Sequence, residues 1–311
     1  MDFLPTLWSY ILWLLTVILT YRLVVVLYSV SRAVWLWYIC PLLGLSTNLQ
    51  QYAQQWTVIT GSSGGIGKAY TMELARRGLR KFILINRNQD KERPLKEFLE
   101  QLGSTVISIQ FDFAFDDHEM LKKSLCDYDV GILLNFAGLA TDSLKTLIDH
   151  RDGLAVEMIN VNQMSMLTLC QAILPGMVKR NKGIFLDVDS YFVCQPMGLY
   201  CTYTASKAFV RYLTECLTIE FENTAIRFQC LTPVLVSTDM TLNVEPDGLF
   251  AVTTEQFAKS AVDVIGMTHQ THGCPFGEVQ AALMFAVPRF LQRLLMKTLE
   301  RRIFSAYQKR N

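Results

Sequence analysis

The sequence predicts an α/β protein, with a doubly wound parallel sheet preceded by an N-terminal transmembrane anchor. Short apolar runs alternate with helical patterns from residue 56 to residue 231, which is the repeat of β-α units. Polar residues directly follow several of the apolar runs, at the strand ends where ligands bind in such sheets. Residues 3–21 carry no charge and are long enough to cross a bilayer. We therefore expect the functional residues at the carboxyl edge of the sheet.

The composition argues against a nucleic-acid partner. Lysine and arginine together number 29 against 28 acidic residues, so the chain has no strong positive field. The eight cysteines include no Cys-x-x-Cys pair, and the sequence has no Asn-x-Ser/Thr site. Both observations favour a catalytic region in a reducing compartment, facing the cytosol.

The N-terminal segment is predicted to be a retained anchor. A cleaved signal peptide is the alternative, but the only early charge is Asp2 and no small-x-small cleavage site follows the apolar run. Arg22 interrupts the run before residues 23–28 resume it. Because Asp2 precedes the span while Arg22 and Arg32 follow it, the positive-inside rule places the remainder of the chain in the cytosol.

Three segments are expected along the chain. Residues 1–48 form the membrane anchor and juxtamembrane segment, in which a second apolar run at 33–45 is too short to span and could lie at the interface. Residues 49–285 form a dinucleotide-binding catalytic domain. Residues 286–311 form a basic amphipathic helix.

A glycine-rich turn opens the catalytic domain. Residues 56–60 read as a buried strand, residues 61–67 as the turn and residues 68–77 as a helix, and residues 81–85 form a second strand. This is the opening of a Rossmann-type βαβ unit, in which glycines let backbone amides approach a pyrophosphate. The predicted cofactor contacts in the turn are Gly61, Ser63, Gly65, Ile66 and Gly67.

The residue after the second strand predicts the cofactor. An acidic side chain there would bind the ribose 2′-hydroxyl of NAD, but this chain has Asn86-Arg87 and no carboxylate until Asp90. A guanidinium pairs with a 2′-phosphate, which favours NADPH/NADP+. The alternative is a solvated Arg87 in a polar turn.

The β-α alternation continues to residue 231. Further strands are expected at 105–111, 130–135, 183–187 and 225–231, and helices at 117–125, 153–179 and 203–221. The polar or turn residues at or just after the strand ends are Asp112, Asn135, Ser190 and Pro233.

Tyr203 and Lys207 lie one turn apart on one face of the last of these helices. A free tyrosine has a pKa near ~10, and a neighbouring ammonium would lower that pKa toward neutrality. On its own the spacing is weak, because most such pairs form an ordinary helix ridge. Their place in the βα series favours catalysis.

Together these motifs resemble the short-chain dehydrogenase/reductase family over about residues 55–240. The residues that carry the resemblance are Thr60-Gly61-x-x-x-Gly65-Ile66-Gly67, Asn135-Phe136-Ala137-Gly138, Ser190 and Tyr203-x-x-x-Lys207. The anchor and the run Ala205-Ser206-Lys207-Ala208-Phe209-Val210 resemble a membrane-bound branch. That branch contains the 17β-hydroxysteroid dehydrogenases of types 3 and 12 and the very-long-chain 3-oxoacyl-CoA reductases.

The resemblance implies catalytic roles. Tyr203 would protonate the substrate carbonyl as hydride arrives, Lys207 would lower the Tyr203 pKa, and Ser190 would hydrogen-bond the carbonyl oxygen. Asn162 would hold a water that links Lys207 to solvent, and its alternative is a backbone contact inside a long helix. The implied cofactor contacts outside the glycine-rich turn are Asp112, Asn135, Tyr203, Lys207, Val236 and Thr238.

Three positions depart from the family pattern. Phe136 replaces an Asn that supports the sheet through polar contacts, which predicts local repacking, and Val234 replaces a common Gly. Asp187 and Asp189 bring two carboxylates close to Ser190. If buried they would raise the cost of an incoming hydride, and if solvated they would matter little.

The sequence predicts irregular structure over residues 234–273. His269 and His272 are interpreted as loop residues rather than as metal ligands, because no carboxylate or cysteine lies at helical spacing beside them. A C-terminal helix would present a basic stripe beside an apolar face, either on an anionic leaflet or as an ordinary surface helix. The stripe is Arg289, Arg293, Lys297 and Arg301.

The predicted function is NADPH-dependent reduction of a carbonyl on a lipophilic substrate, a 17-ketosteroid or a long-chain 3-oxoacyl-CoA. The alternative is a catalytically impaired nucleotide- or lipid-binding protein of the same fold. The expected location is the endoplasmic reticulum membrane with the catalytic domain facing the cytosol, and a homodimer is a possible assembly because dimers are common in the family.

Overall fold

A parallel sheet of seven strands forms the centre of the computed structural model, with the strand order β3-β2-β1-β4-β5-β6-β7. The structure describes residues 3–141, 145–194, 196–241, 245–246, 251–294 and 297–298. The strands are β1 (Trp56–Thr60), β2 (Lys81–Asn86), β3 (Thr105–Gln110), β4 (Val130–Asn135), β5 (Gly183–Val188), β6 (Ile226–Leu231) and β7 (Gln270–Thr271).

Helices cover both faces of this sheet, which confirms the predicted doubly wound α/β class. One core cluster joins the sheet to α3, α4 and α9, and the other joins it to α5, α7 and α8. The helices are α1 (Phe3–Val34), α2 (Cys40–Leu42), α3 (Gly65–Arg76), α4 (Gln89–Gln101), α5 (His118–Leu125), α6 (Leu154–Ile159), α7 (Ser165–Arg180), α8 (Cys201–Glu220), α9 (Thr254–Asp263) and α10 (Pro275–Ala286).

The central strands are buried on both faces, which explains their continuous apolar sequences. All six residues of β4 are buried, and neighbouring side chains point to opposite core clusters. Leu134 packs with Ile59 on one face, whereas Leu133 packs with Val58 on the other.

The strand order reverses at β1, which pairs with β2 on one side and β4 on the other. Crevices at such switch points are where ligands bind in open α/β sheets. The register aligns Thr60 with Asn135, Asn135 with Asp187, and Asp187 with Cys230 across four adjacent strands. This row lies at the carboxyl edge, directly below the predicted site.

The N-terminal segment is one continuous helix, which runs through Arg22, the residue that interrupts the apolar run. Helix α1 has 32 residues, about 48 Å at 1.5 Å per residue. Within the described residues, Leu7–Leu42 is one helical stretch that is long and apolar enough to cross a membrane, by length and composition. The Arg22 guanidinium donates to the carbonyl oxygen of Ala286, so this side chain is directed toward the end of α10.

The second apolar run packs partly against the catalytic domain. After α1 the chain continues through a π-helical turn, Trp35–Ile39, into α2. Ala33, Leu36 and Cys40 are buried, and the Trp37 indole donates to the carbonyl oxygen of Ser260 at 3.0 Å. The proposed segment boundary at residue 48 stays a prediction.

The expectation of irregular structure over 234–273 is wrong for part of that stretch. Helix α9 begins with a capping box between Thr253 and Gln256 and buries Phe257 against the sheet cluster. Strand β7 lies where a histidine-containing loop was expected, because Gln270 and Thr271 pair with Cys230 and Leu231.

Helix α10 was also missed, and it packs directly on α1. Beyond Pro288 the chain is helical over 289–294. Phe290 is 70% exposed and Leu294 is 61% exposed, so the apolar face of this helix is open in the described part of the chain. Arg301, the last residue of the predicted basic stripe, lies outside the described residues.

Candidate active site

Two glycines allow the turn after β1 to pack closely. Gly61 has φ +67°, and a Cβ there would lie 2.6 Å from the backbone nitrogen of Ala137. A Cβ on Gly67 would meet the carbonyl oxygen of Gly61. Larger residues at either position would push the turn away from β4, so the sequence requirement for glycine is steric.

The N-terminus of α3 is suited to an anion. Its N-cap residue is Gly64, which makes no side-chain cap hydrogen bond. By contrast, α4, α5 and α9 are capped by the side chains of Asn88, Asp117 and Thr253. The first amide groups of α3 therefore keep the open donors and positive dipole end that bind phosphate.

Asn86 holds this turn in place, a role that the sequence reasoning missed. Its Oδ1 accepts from the backbone nitrogen of Ser63 at 3.1 Å, and its Nδ2 donates to Ser62 Oγ at 2.8 Å. The same Nδ2 donates to the buried carboxylate of Glu92 at 2.5 Å. A buried asparagine at a strand end beside a glycine-rich turn was the available signal.

The predicted adenosine contacts lie at the ends of neighbouring strands. Arg87 follows β2 and is exposed, so its guanidinium is accessible beside the turn. Asp112 follows β3, and its Oδ1 accepts from the backbone nitrogen of Ala114 at 2.9 Å. Their contacts with a cofactor stay predictions.

The last two predicted cofactor contacts, Val236 and Thr238, lie on the segment after β6. A Cβ on Gly65 would lie 3.6 Å from Thr238 Cγ2, so this threonine approaches the start of α3. Thr241 holds Thr238 in place, since its Oγ1 accepts from the Thr238 backbone nitrogen at 2.9 Å. Val236 is buried and forms an isolated bridge with Val252.

Helix α8 is joined to the end of β5 by four polar contacts, which we call the α8 ladder. Tyr203 and Ser190 share a side-chain hydrogen bond. The remaining contacts are Lys207 Nζ to the Val188 carbonyl oxygen at 2.9 Å, Arg211 Nε to Asp189 Oδ2 at 2.5 Å, and Thr214 Oγ1 to Asp187 Oδ2 at 2.9 Å. The α8 residues of the ladder are three or four positions apart and therefore lie on one face of the helix, which faces residues 187–190.

The lowered pKa predicted for Tyr203 is not present in this structure. Burial raises the pKa of the Tyr203 phenol above its ordinary value, and the hydrogen bond with Ser190 only partly opposes this. Burial also lowers the pKa of Lys207, whose ammonium is directed to Val188. Tyr203 is therefore protonated at neutral pH, the form that can give up a proton.

Asn162 lies in a π-helical turn, Asn160–Met164, that interrupts the single helix predicted from residue 153. Its side chain both accepts from the backbone nitrogen of Leu139 at 2.7 Å and donates to the Leu139 carbonyl oxygen at 2.9 Å. It also donates to Ser206 Oγ on α8 at 2.8 Å. Asn162 thus connects the loop after β4 to α8. Its proposed role, holding a water that links Lys207 to solvent, stays a prediction.

Asp187 and Asp189 are buried but are not bare charges. Asp189 is paired with Arg211, and Asp187 accepts from Asn135 Nδ2 at 2.7 Å as well as from Thr214. Burial raises the pKa of Asp187 to about 7, against the effect of these hydrogen bonds. Arg211 and Thr214 were not identified from the sequence, although Arg211 is one turn beyond Lys207 on the same face.

Phe136 is accommodated by packing. Its ring lies 5.1 Å from that of Tyr70 on α3, and its backbone nitrogen donates to the Thr60 carbonyl oxygen at 3.2 Å. At the same strand end, Asn135 bonds Asp187, so polar support of the sheet comes from that pair. Local repacking at Phe136 therefore leaves the glycine-rich turn in place.

The two histidines have different environments. His269 contributes its carbonyl oxygen to Cys230, and His272 Nδ1 lies 3.0 Å from the Thr232 carbonyl oxygen. The His272 ring also packs against Tyr191 at 6.0 Å. Among the described residues no group of three His, Cys, Asp or Glu side chains is arranged to hold a metal.

Comparison with known proteins identifies the class. The family model for short chain dehydrogenases matches residues 55–248, and the chain belongs to this family of oxidoreductases. The mouse (Mus musculus) very-long-chain 3-oxoacyl-CoA reductase is 28% identical over 314 residues, covering 100% of this chain and 99% of that protein. The human (Homo sapiens) 17-beta-hydroxysteroid dehydrogenase type 3 is 34% identical over 250 residues, covering 78% and 80%.

Solved structures share the fold. A short-chain dehydrogenase from Sphingobium yanoikuyae in complex with NADPH superposes with a TM-score of 0.61 at 24% identity, covering 68% of this chain and 84% of that one. An alcohol dehydrogenase from Thermococcus sibiricus complexed with 5-hydroxy-NADP gives 0.59 at 25% identity, covering 67% and 88%. The cofactors in these neighbours agree with the NADP-type cofactor predicted from Arg87.

Proposed function

We propose that this chain is a membrane-anchored, NADPH-dependent reductase that converts a carbonyl group on a long lipophilic substrate to the alcohol. The observation that carries the proposal is the Tyr203–Ser190 hydrogen bond at the first step of the α8 ladder. It brings a proton donor and a carbonyl-binding hydroxyl together at the carboxyl edge of the sheet. The phosphate-binding turn opens at the same edge.

The residues around the glycine-rich turn fit NADPH. The open amide groups at the start of α3 would take the pyrophosphate, and the exposed Arg87 guanidinium would pair with the 2′-phosphate. Lys207 and Thr238 would hold the nicotinamide end. When bound, the cofactor supplies the hydride.

The protein side of the reaction is proton delivery and charge stabilisation. Ser190 would orient the carbonyl oxygen and stabilise the negative charge that develops on it. Tyr203 would donate its Oη proton to the same oxygen, and the raised pKa of the phenol ensures that this proton is present at neutral pH. The protonated phenol is the form of Tyr203 that the reduction requires.

A membrane location suits a lipophilic substrate. The length and composition of α1 support anchoring, and the exposed Phe290 and Leu294 support contact of the C-terminal helix with the same bilayer. The relatives are named for a very-long-chain 3-oxoacyl-CoA and a 17β-hydroxysteroid, which makes these two substrate classes the first to test. We infer the endoplasmic reticulum membrane, with the catalytic domain in the cytosol. A homodimer stays a prediction.

The test is NADPH oxidation by membranes that carry the protein, with a panel of 3-oxoacyl-CoA and 17-ketosteroid substrates. We expect Tyr203→Phe to lose roughly 10²–10⁴-fold in kcat, the usual range for a general acid. Tyr212→Phe is the matched control, because Tyr212 lies on the same helix and is exposed. Equal turnover by the wild type and Tyr203→Phe would refute the mechanism. NADPH binding without oxidation of NADPH by any substrate would instead favour the impaired binding protein.

A further inference from the structure

A large cavity lies beside the contact between the N-terminal helix and the C-terminal part of the catalytic domain. Its volume is about 870 Å³, within the range of about 300–1,000 Å³ typical of small-molecule sites. Helices α1 and α10, which pack on each other, both contribute to its lining. The apolar lining residues include Val17, Ile18, Tyr21 and Val25 on α1 and Ala281 and Phe285 on α10.

The polar part of the lining is positively charged. Arg22, Arg32 and Arg289 line the cavity, whereas Glu278 is the one carboxylate among its described lining residues. Glu278 is buried and is paired with Arg32 at 2.8 Å, so it does not compensate Arg22 or Arg289. Arg289 is exposed and forms no salt bridge within the described part of the chain. The cavity therefore complements a negatively charged group beside an apolar chain.

The position of the cavity matches the boundary of a bilayer. A span of about 20 residues that starts at the beginning of α1 ends near Arg22, so Val17 and Ile18 would lie in the hydrocarbon and Arg22 at its edge. On the outer surface, Leu283 and Phe290 are exposed and apolar. A lipid tail could enter from the membrane while its head remained among the arginines.

The inner end of the cavity is lined by two residues that lie next to the α8 ladder or belong to it. Tyr191 and Arg211 are both in its lining. Tyr191 follows Ser190 directly, and its backbone nitrogen donates to the Pro233 carbonyl oxygen at 3.2 Å. Arg211 is the partner of Asp189 in the α8 ladder. The cavity thus runs from the membrane helix to the strand end that carries Ser190.

We propose that this cavity is a binding site for a long-chain fatty-acyl lipid with an anionic head, drawn from the membrane, and that the anchor helix itself forms one wall of the site. The chain would lie against α1 and α10, and the head would be bound by Arg22 and Arg289. This inference rests on the proposed membrane anchoring but not on the proposed reaction. Its test therefore omits NADPH and measures labelling rather than turnover.

The full-length protein in phosphatidylcholine nanodiscs is irradiated with palmitic acid that carries a diazirine in its chain, and labelled peptides are mapped by mass spectrometry. We expect labels on peptides that contain residues 17–25 and 281–285, and competition by palmitate at least tenfold stronger than by hexadecanol. Labels spread only over peptides outside the cavity would overturn the site. Equal competition by palmitate and hexadecanol would overturn the anionic preference.

Two pairs of variants separate the chain-binding and head-binding parts. Ala281→Phe fills the cavity and should reduce labelling several-fold, whereas Leu283→Phe, on the exposed side of the same helix, should not. Arg289→Gln should remove most of the preference for palmitate, while Arg293→Gln, outside the lining, should keep it. Unchanged labelling in Ala281→Phe refutes the proposal. If that variant does not fold, Val25→Phe fills the same cavity from α1 and is judged by the same criterion.

Discussion

Arg211 Nε donates to the buried Asp189 carboxylate at 2.5 Å. Arg211 lies one helical turn beyond Lys207 on α8, and Asp189 directly precedes Ser190. This pair answers the concern that a carboxylate so close to the catalytic serine would oppose an incoming hydride. The guanidinium compensates the charge, and the bond joins α8 to the strand end. Arg211 is a positioning residue, because it acts through Asp189.

We predict that Arg211→Gln lowers the free energy of unfolding by about 3–5 kcal/mol, because breaking a buried pair leaves an uncompensated charge. Urea denaturation measures the change. The double variant Arg211→Gln/Asp189→Asn should recover most of the loss, since it removes the orphaned carboxylate. For comparison, Arg93→Gln breaks an exposed pair with Asp90 and should cost less than about 1 kcal/mol. Additive effects of the two single changes in the pair would contradict the assigned coupling.

A second prediction concerns the pH dependence of stability through Asp187. Burial raises the pKa of its carboxyl to about 7 in the folded state, above the value of an unfolded aspartate. The folded state therefore binds a proton more tightly than the unfolded state, and this contribution to stability is complete at acidic pH. It is lost as pH rises toward about 7, with a slope of up to about 1.4 kcal/mol per pH unit.

Asp187→Asn should flatten this dependence, because the amide is isosteric and does not titrate. The free energies of unfolding at pH 5, 6 and 7.5 are compared between the variant and the wild type. Asp116→Asn, at an exposed aspartate, is the control and should follow the wild type. Parallel profiles for the wild type and Asp187→Asn would show that Asp187 is ionised across the range.

Cofactor selection is expected to depend on Arg87. A charge-assisted hydrogen bond contributes about 1.5–3 kcal/mol, so Arg87→Gln should weaken NADPH binding by roughly 10–100-fold. NADH lacks the 2′-phosphate, and its affinity should change little. Fluorescence titration of both cofactors gives the ratio, with Arg93→Gln on α4 as the matched control. A parallel loss of affinity for both cofactors would mean that Arg87 stabilises the glycine-rich turn and does not bind the 2′-phosphate.

Membrane anchoring gives a prediction that does not involve catalysis. An apolar span of this length should remain in the membrane pellet after alkaline carbonate extraction. In sealed microsomes, protease added from outside should digest the catalytic domain if it faces the cytosol. Release by carbonate would contradict the anchor. Protection of the domain in intact vesicles would contradict only the orientation.

The β-α series could be predicted because its signals are local. The strands of the central sheet are buried on both faces, so their sequences are continuous apolar runs. Gly61 and Gly67 are required by close backbone contacts. Strand β7 was missed for the opposite reason. Strand β7 has two residues, and its conformation comes from pairing with residues of β6 that lie 40 positions earlier in the chain, rather than from its own pattern.

The candidate site divides in the same way. The sequence by itself determined the family and identified the side chains capable of the chemistry, because Tyr203 and Lys207 are one helical turn apart and Ser190 follows a buried strand. Only the tertiary structure decided their charge states and partners. Lys207 donates a hydrogen bond to the Val188 carbonyl oxygen, and Asp189 is paired with Arg211. Burial raises the pKa of Tyr203 rather than lowering it. A pKa depends on desolvation and on charges brought close by folding, and neither can be read from spacing along the chain.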